Sequence, residues 1–352
     1  MAERVLMKGN EAIAEAAIRA GCRHYFGYPI TPQTEIAAYM AKRMPKIGGV
    51  FLQAESEIAA INMVYGAAAG VRAMTSSSSP GISLKGEGIS YISGSDVPAL
   101  VVNVQRGGPG LGGIQPSQSD YFQATRGGGH GDYHMIVLAP ASVQEMASLT
   151  VHGFNLADKY SMITMLLADG TIGQMMEPIS FADVNVETYD KPWALTGTKG
   201  QRKHNIVNSL YLNPEELEQK NFQRFQRYQE IEDKEQMWEE YQMEDAEICV
   251  VAFGIASRVA KNAVSAARAA GVKVGLIRPI TLWPFPKKAL AKAADQVKCF
   301  LSVELSMGQM IEDIRLSTDC RRPVYLCNRT GGMIPSPDQV LQSIYDAQKG
   351  AM

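Results

Sequence analysis

Residues 51–70, FLQAESEIAAINMVYGAAAG, constrain the fold more than any other stretch of the chain. Phe51 and Leu52 read as the end of a buried strand, and Ala59, Ala60, Met63, Val64, Ala67 and Ala68 recur at helical spacing. Two glutamates, Glu55 and Glu57, sit where the strand hands over to the helix. Open α/β sheets place their chemistry there, outside the carboxyl ends of the strands. Position alone does not give either glutamate a role, because the helix dipole favours a carboxylate in any first turn. The small residues on the helix allow a close approach by whatever packs against it.

The chain before and after this stretch alternates in the same way. Asn10 reads as the N-cap of a helix from Glu11 to Ala20, closed by Gly21, and a strand follows at His24–Gly27. The loop YPITP, Tyr28 to Pro32, holds Thr31 between fixed proline neighbours, and a helix from Gln33 to Arg43 leads to the strand at Val50. A third strand, Val71–Thr75, ends in the serine run Ser76–Ser79 with Pro80-Gly81, and a fourth, Ala99–Val104, ends at Arg106 and a glycine-rich loop. Such alternation predicts a parallel sheet covered on both faces. Thr31, Glu57 and Arg106 then reach one sheet edge. A lone threonine in a turn or arginine at a strand end is usually structural, but a hydroxyl, a carboxylate and a guanidinium together suit a small anionic substrate.

Two glycine-rich loops invite other readings. Gly108, Gly110 and Gly113 match a dinucleotide fingerprint, but the following Ile114–Asp120 does not open a helix, so a flexible, close-approach loop lining the pocket is the better reading. In RGGGHGDYH, His130 and His134 have the spacing of a helical metal pair, and the intervening glycines argue against that helix. His130 keeps two readings, a proton-transfer group or a hydrogen-bonded loop histidine.

Beyond these loops come a strand at Met135–Ala139, a helix from Ser142 past His152 and a strand at Met162–Ala168. The predicted organisation is a first domain over 1–178, a crossing segment with a charged helix over 179–245, and a second α/β domain over 246–352. The charged helix starts at Asn213 with Pro214 and Glu216 and runs to about Met243, with Phe225, Tyr228, Trp238 and Tyr241 interleaved. In the second domain, strands at Ile248–Phe253, Val272–Ile277, Cys299–Val303 and Val324–Cys327 alternate with helices, and no nucleophile elbow or Walker loop occurs. A net charge of -2 leaves no electrostatic footprint for nucleic acid or an anionic membrane. Without a signal-peptide pattern or a long apolar run, a cytoplasmic protein is expected. Five cysteines without a CxxC pair argue against an iron–sulfur cluster held by this chain.

The segments GYPITPQTE, QAESEIAAINMVYGAAAG, AMTSSSSPGISLKGEGI, VNVQRGGPGLGGIQPSQSD, HGDYHMIVLAPASVQE and RPITLWPFP together resemble the alpha subunit of a 2-oxoacid:ferredoxin oxidoreductase, over nearly the whole chain. The resemblance implies an α/β fold: a thiamine diphosphate-binding, pyrimidine-type parallel-sheet domain followed by a transketolase C-terminal-like domain. It implies thiamine diphosphate shared with a beta subunit, Mg2+ and 4Fe–4S clusters in partner subunits, and coenzyme A as co-substrate. The implied partners are that beta subunit, a gamma subunit, a ferredoxin-like subunit and ferredoxin, in a dimer of hetero-oligomers. Glu57 would hydrogen-bond the aminopyrimidine nitrogen of the cofactor, the spacing to Gly66 selecting it over Glu55. Tyr28 and Ser78 would also contact the cofactor, and Thr31 and Arg106 the substrate.

One departure bears on the substrate. Many members follow the arginine with a Gly-Pro-Ser-Thr-Gly loop, whereas Gly110 and Leu111 stand here in place of the two hydroxyls. Leu111 in the pocket would favour an apolar side chain over a second carboxylate, since burying an unpaired charge is costly. The expected substrate is therefore 3-methyl-2-oxobutanoate. The alternatives are 2-oxoglutarate, a noncatalytic assembly subunit that does not need Glu57, and a nicotinamide-dependent dehydrogenase.

Overall fold

Two mostly parallel sheets carry the chain. The computed structural model describes residues 4–182 and 184–350. The first half runs β1 (Val5–Lys8), α1 (Gly9–Arg19), β2 (His24–Gly27), α2 (Thr34–Arg43), β3 (Val50–Gln53), α3 (Glu57–Ala68), β4 (Ala73–Ser77), α4 (Ser79–Gly94), β5 (Ala99–Gln105), α5 (Tyr121–Thr125), β6 (Ile136–Leu138), α6 (Val143–Tyr160), β7 (Ile163–Asp169), α7 (Gly170–Gln174) and β8 (Met176–Ile179). The second half runs α8 (Pro214–Lys234), β9 (Trp238–Tyr241), β10 (Ile248–Val251), α9 (Gly254–Ala269), β11 (Val274–Pro279), β12 (Thr281–Trp283), α10 (Lys287–Gln296), β13 (Cys299–Glu304), α11 (Met310–Ser317), β14 (Val324–Asn328) and α12 (Pro337–Lys349).

The first sheet has the order β12-β6-β7-β5-β4-β2-β3, and the second β14-β13-β10-β11-β9. Within each, only the end strands β12 and β9 run antiparallel to their neighbours. β4, β5 and β7 are buried along their whole length, as strands covered on both faces must be. α1 packs on α2 and α6, and α3 packs on α4. The two sheets are tied together by Gln118, whose Nε2 donates to the Phe253 carbonyl (2.8 Å) and whose Oε1 accepts from the Leu305 N–H (3.0 Å).

Several details depart from the sequence expectations. Asn10 caps nothing: the helix begins at Gly9, and Asn10 is buried with its Nδ2 donating to the Pro32 carbonyl (2.8 Å) and to Glu35 (2.9 Å). β3, expected to be buried at Phe51 and Leu52, is the sheet's edge strand, with Val50 and Leu52 exposed and Phe51 stacked on Tyr25. The third strand, expected over Val71–Thr75, runs from Ala73 to Ser77 and so takes in part of the serine run. Ser76 and Ser77 finish β4, and Ser79 opens α4. The charged helix stops at Lys234, because Trp238–Tyr241 leaves it to pair with β11. Thr281–Trp283, in the second half of the chain, adds a strand to the first sheet beside β6.

Candidate active site

β5, β4, β2 and β3 are successive neighbours in the first sheet and parallel, so their carboxyl ends open on one edge. That edge receives Tyr28 and Thr31 after β2, Glu57 after β3, Ser78 and Ser79 after β4, and Arg106 after β5. Arg106 is buried; its Nη1 donates to the Thr31 carbonyl (3.0 Å) and its Nη2 to the Leu111 carbonyl (3.2 Å). Its Nε has no partner among the described residues. The Arg106 N–H donates to Ser79 Oγ (3.1 Å), which donates to Asp120 Oδ2 (2.6 Å); Asp120 also accepts from Asn103 Nδ2 (2.9 Å). Burial raises the Asp120 carboxyl above its usual range, and these two donors oppose the rise. Thr31 is exposed, and its carbonyl rather than its hydroxyl meets the arginine.

Glu57 is the first residue of α3, whose N-cap Ser56 accepts from the Ala59 N–H (3.2 Å). The residue is only 6% exposed, and among the described residues its carboxylate accepts no hydrogen bond. A Cβ on Gly81 would lie 2.7 Å from Glu57 Oε1. Only glycine fits there, because a methyl group would collide with the carboxylate. The hydroxyls of Ser77 and Ser78 are buried nearby in sequence and likewise unpartnered. The first turn of α4 thus joins the two halves of the site: Ser79 touches Arg106 and Gly81 touches Glu57.

The glycine loop closes on itself through Gly107 N–H to the Gln115 carbonyl (2.9 Å) and Gly113 N–H to the Gly107 carbonyl (3.0 Å). No helix opens on its glycines, α5 beginning only at Tyr121, so the dinucleotide context is missing. Leu111 places its carbonyl on Arg106 while its side chain is 84% exposed, so it walls no pocket within this chain. The two loop histidines part company. His134 stacks on Trp283 (4.7 Å between ring centroids) beside Tyr228, its pKa lowered by desolvation, whereas His130 is exposed and meets Tyr91 edge-on. Among the described residues no group of three His, Cys, Asp or Glu side chains could hold a metal ion, and no helix is long and apolar enough to cross a membrane.

Sequence reasoning passed over Lys85, which α4 buries completely beside Glu57. A lysine amid SPGISLKGEGI offers no signal until that segment is recognised as a helix facing α3.

A carboxylate at the open edge and two buried hydroxyls, all without partners among the described residues, and a glycine that leaves room fit a flat group with its own hydrogen-bonding edge, as an aminopyrimidine ring has. The fold is that of a parallel-sheet α/β protein with its candidate site at the carboxyl ends of the strands. Residues 15–248 match the family model for pyruvate flavodoxin/ferredoxin oxidoreductase, thiamine diphosphate-binding, and residues 246–340 match pyruvate:ferredoxin oxidoreductase core domain II. The chain belongs to this family.

The ketoisovalerate oxidoreductase subunit VorB of Methanothermobacter marburgensis is 52% identical to this chain, over 96% of each. The 2-oxoglutarate synthase subunit KorA of the same organism is 37% identical, over 98% of this chain and 99% of its own. The solved 2-oxoglutarate:ferredoxin oxidoreductase from Magnetococcus marinus, with 2-oxoglutarate, coenzyme A and succinyl-CoA bound, matches 98% of this chain with a TM-score of 0.88 and 31% identity. This chain spans 65% of that one. A split-gene transketolase, at 12% identity and a TM-score of 0.60 over 97% of this chain and 98% of its own, shares the fold.

Proposed function

We propose that this chain is the alpha subunit of a thiamine diphosphate-dependent 2-oxoacid:ferredoxin oxidoreductase, which decarboxylates 3-methyl-2-oxobutanoate oxidatively to an acyl-CoA. The observation that carries the reading is the Glu57 carboxylate at the open sheet edge, without a hydrogen-bond donor among the described residues, within a family whose model describes thiamine diphosphate binding. Glu57 would hold the aminopyrimidine nitrogen and give or take the proton there. Ser78 and Tyr28 contact the same ring. Thiamine diphosphate, when bound, supplies the carbon nucleophile and the electron sink that decarboxylation needs.

Arg106 spends two donors on the Thr31 and Leu111 carbonyls, which lock its guanidinium in place. Of its five N–H groups three remain for the substrate carboxylate, and Thr31 contributes its free hydroxyl. Leu111 turns toward the substrate's branched side chain when a partner subunit covers this edge. The beta subunit holds the diphosphate with Mg2+, the partner subunits carry the 4Fe–4S clusters, and coenzyme A takes the acyl group. The naming of VorB and KorA as subunits supports the need for partners.

The test is anaerobic, coenzyme A-dependent dye reduction by the co-expressed complex over a panel of 2-oxoacids. Preference for 3-methyl-2-oxobutanoate is expected. Preference for 2-oxoglutarate overturns the substrate assignment and keeps the chemistry; no turnover of any 2-oxoacid by a complex with thiamine diphosphate and intact clusters overturns both.

A further inference from the structure

The reaction as described leaves a buried ammonium unused. Lys85 is fully buried on α4. Gly81, Lys85 and Gly88 recur at the spacing that shares one helix face. That face lies on α3: a Cβ on Gly81 would meet Glu57 Oε1 at 2.7 Å, and one on Gly88 would meet Ile61 Cγ2 at 2.4 Å. Between them, Lys85 Nζ donates to the main-chain carbonyl of Glu57 at 3.4 Å, a long bond and the one this ammonium makes among the described residues. Taking an ammonium out of water for so little return is costly unless a counter-charge stands beside it. Burial lowers the Lys85 pKa to about 8, and the charge of Glu57 is what opposes that fall.

The other titratable groups on the surrounding elements are engaged elsewhere or exposed. Glu55, ahead of α3, is exposed, and Glu87 on α4 accepts from Tyr91. Arg106 at the end of β5 is held by two carbonyls, and Asp120 in the loop beyond it by Ser79 and Asn103. Asp169 at the end of β7 accepts from the main chain of α7 and α9, Tyr25 on β2 pairs with Ser76, and His24 lies at the opposite end of that strand. His130, in the loop beside Ser90, is exposed.

The geometry points to Lys85 as a positioning residue for the reaction: a counter-charge behind Glu57 that keeps its carboxylate ionised and directed at the open edge. The inference rests on the role given to Glu57 above. A cation held near a carboxylate favours its charged form.

Infrared difference spectra of the co-expressed complex without thiamine diphosphate test this directly. At pH 7, Lys85→Met is expected to show a protonated-carboxyl band that the native complex lacks and that the double variant with Glu57→Gln loses. The acid limb of its kcat against pH should move up by roughly 1–3 units, the size of a neighbouring-charge effect, and Lys85→Arg should restore it. A folded Lys85→Met complex with no new band and an unmoved acid limb overturns the inference. Should Lys85→Met fail to assemble, the Lys85 15N signal in Glu57→Gln decides: titration below about 8 supports the pairing, and unmoved titration overturns it. Full activity of Glu57→Gln would remove the catalytic role of Glu57, whereas the infrared coupling would stand or fall separately.

Discussion

Two glutamates occupy equivalent places in the two sheets and meet opposite fates. Glu57 follows β3 and opens α3; Glu304 ends β13 just before α11. Both are buried. Glu304 accepts from the hydroxyls of Ser302 and Ser306 (both 2.8 Å) and from the main-chain N–H groups of Gln309 (2.8 Å), Met310 (3.0 Å) and Ile311 (2.9 Å). Glu57 accepts from none of the described residues. A carboxylate at a strand end is thus a helix cap when the chain saturates it and a candidate for chemistry when the chain leaves it open. The second sheet spends its acid on holding α11, and the first leaves its acid without a donor among the described residues.

Removing each acid should separate the two roles. Glu304→Gln sets an amide NH2 among N–H donors and should cost about 3 kcal/mol of stability, since hydrogen bonds to a buried charge are lost together; thermal unfolding of the assembled complex measures it. A loss under about 0.5 kcal/mol, the range of an ordinary surface change, would break the contrast. Gly81→Ala presses on the open acid without removing it. Its new methyl would stand 2.1 Å from Ser77 Oγ and 2.7 Å from Glu57 Oε1. We expect about 1–3 kcal/mol of overpacking cost and a lower kcat from the displaced carboxylate, read by unfolding and steady-state rates side by side. Leu111→Thr should have the smallest effect, because the side chain touches little in this chain: a shift of about tenfold or less in the kcat/KM ratio of 3-methyl-2-oxobutanoate to 2-oxoglutarate, toward the latter. An unchanged ratio would take Leu111 out of substrate selection.

Much of the open sheet edge was legible in the residues. The strand ends that deliver Thr31, Glu57 and Arg106 follow from apolar runs broken at YPITP, AESE and QRGG, and Arg106 does meet Thr31. α4 was not legible, because Gly81, Gly86 and Gly88 read as helix breakers while two of them serve as contact points for α3. With α4 went Lys85. The saturation of Glu304 and the bareness of Glu57 depend on which donors the fold brings close, which no spacing encodes. β9 and β12 escaped for the same reason: Trp238–Tyr241 and Thr281–Trp283 become strands only through partners far away in sequence, β11 and β6.

The central claim is that Glu57 is open because it serves the cofactor. Glu57→Gln in the co-expressed complex tests it most directly, with kcat and thiamine diphosphate content measured on the same preparation. Assembly and thermal stability close to native are expected, together with a loss of at least about a hundredfold in kcat, the scale of a positioned proton-transfer group. A Glu57→Gln complex that turns over at the native rate would contradict the account.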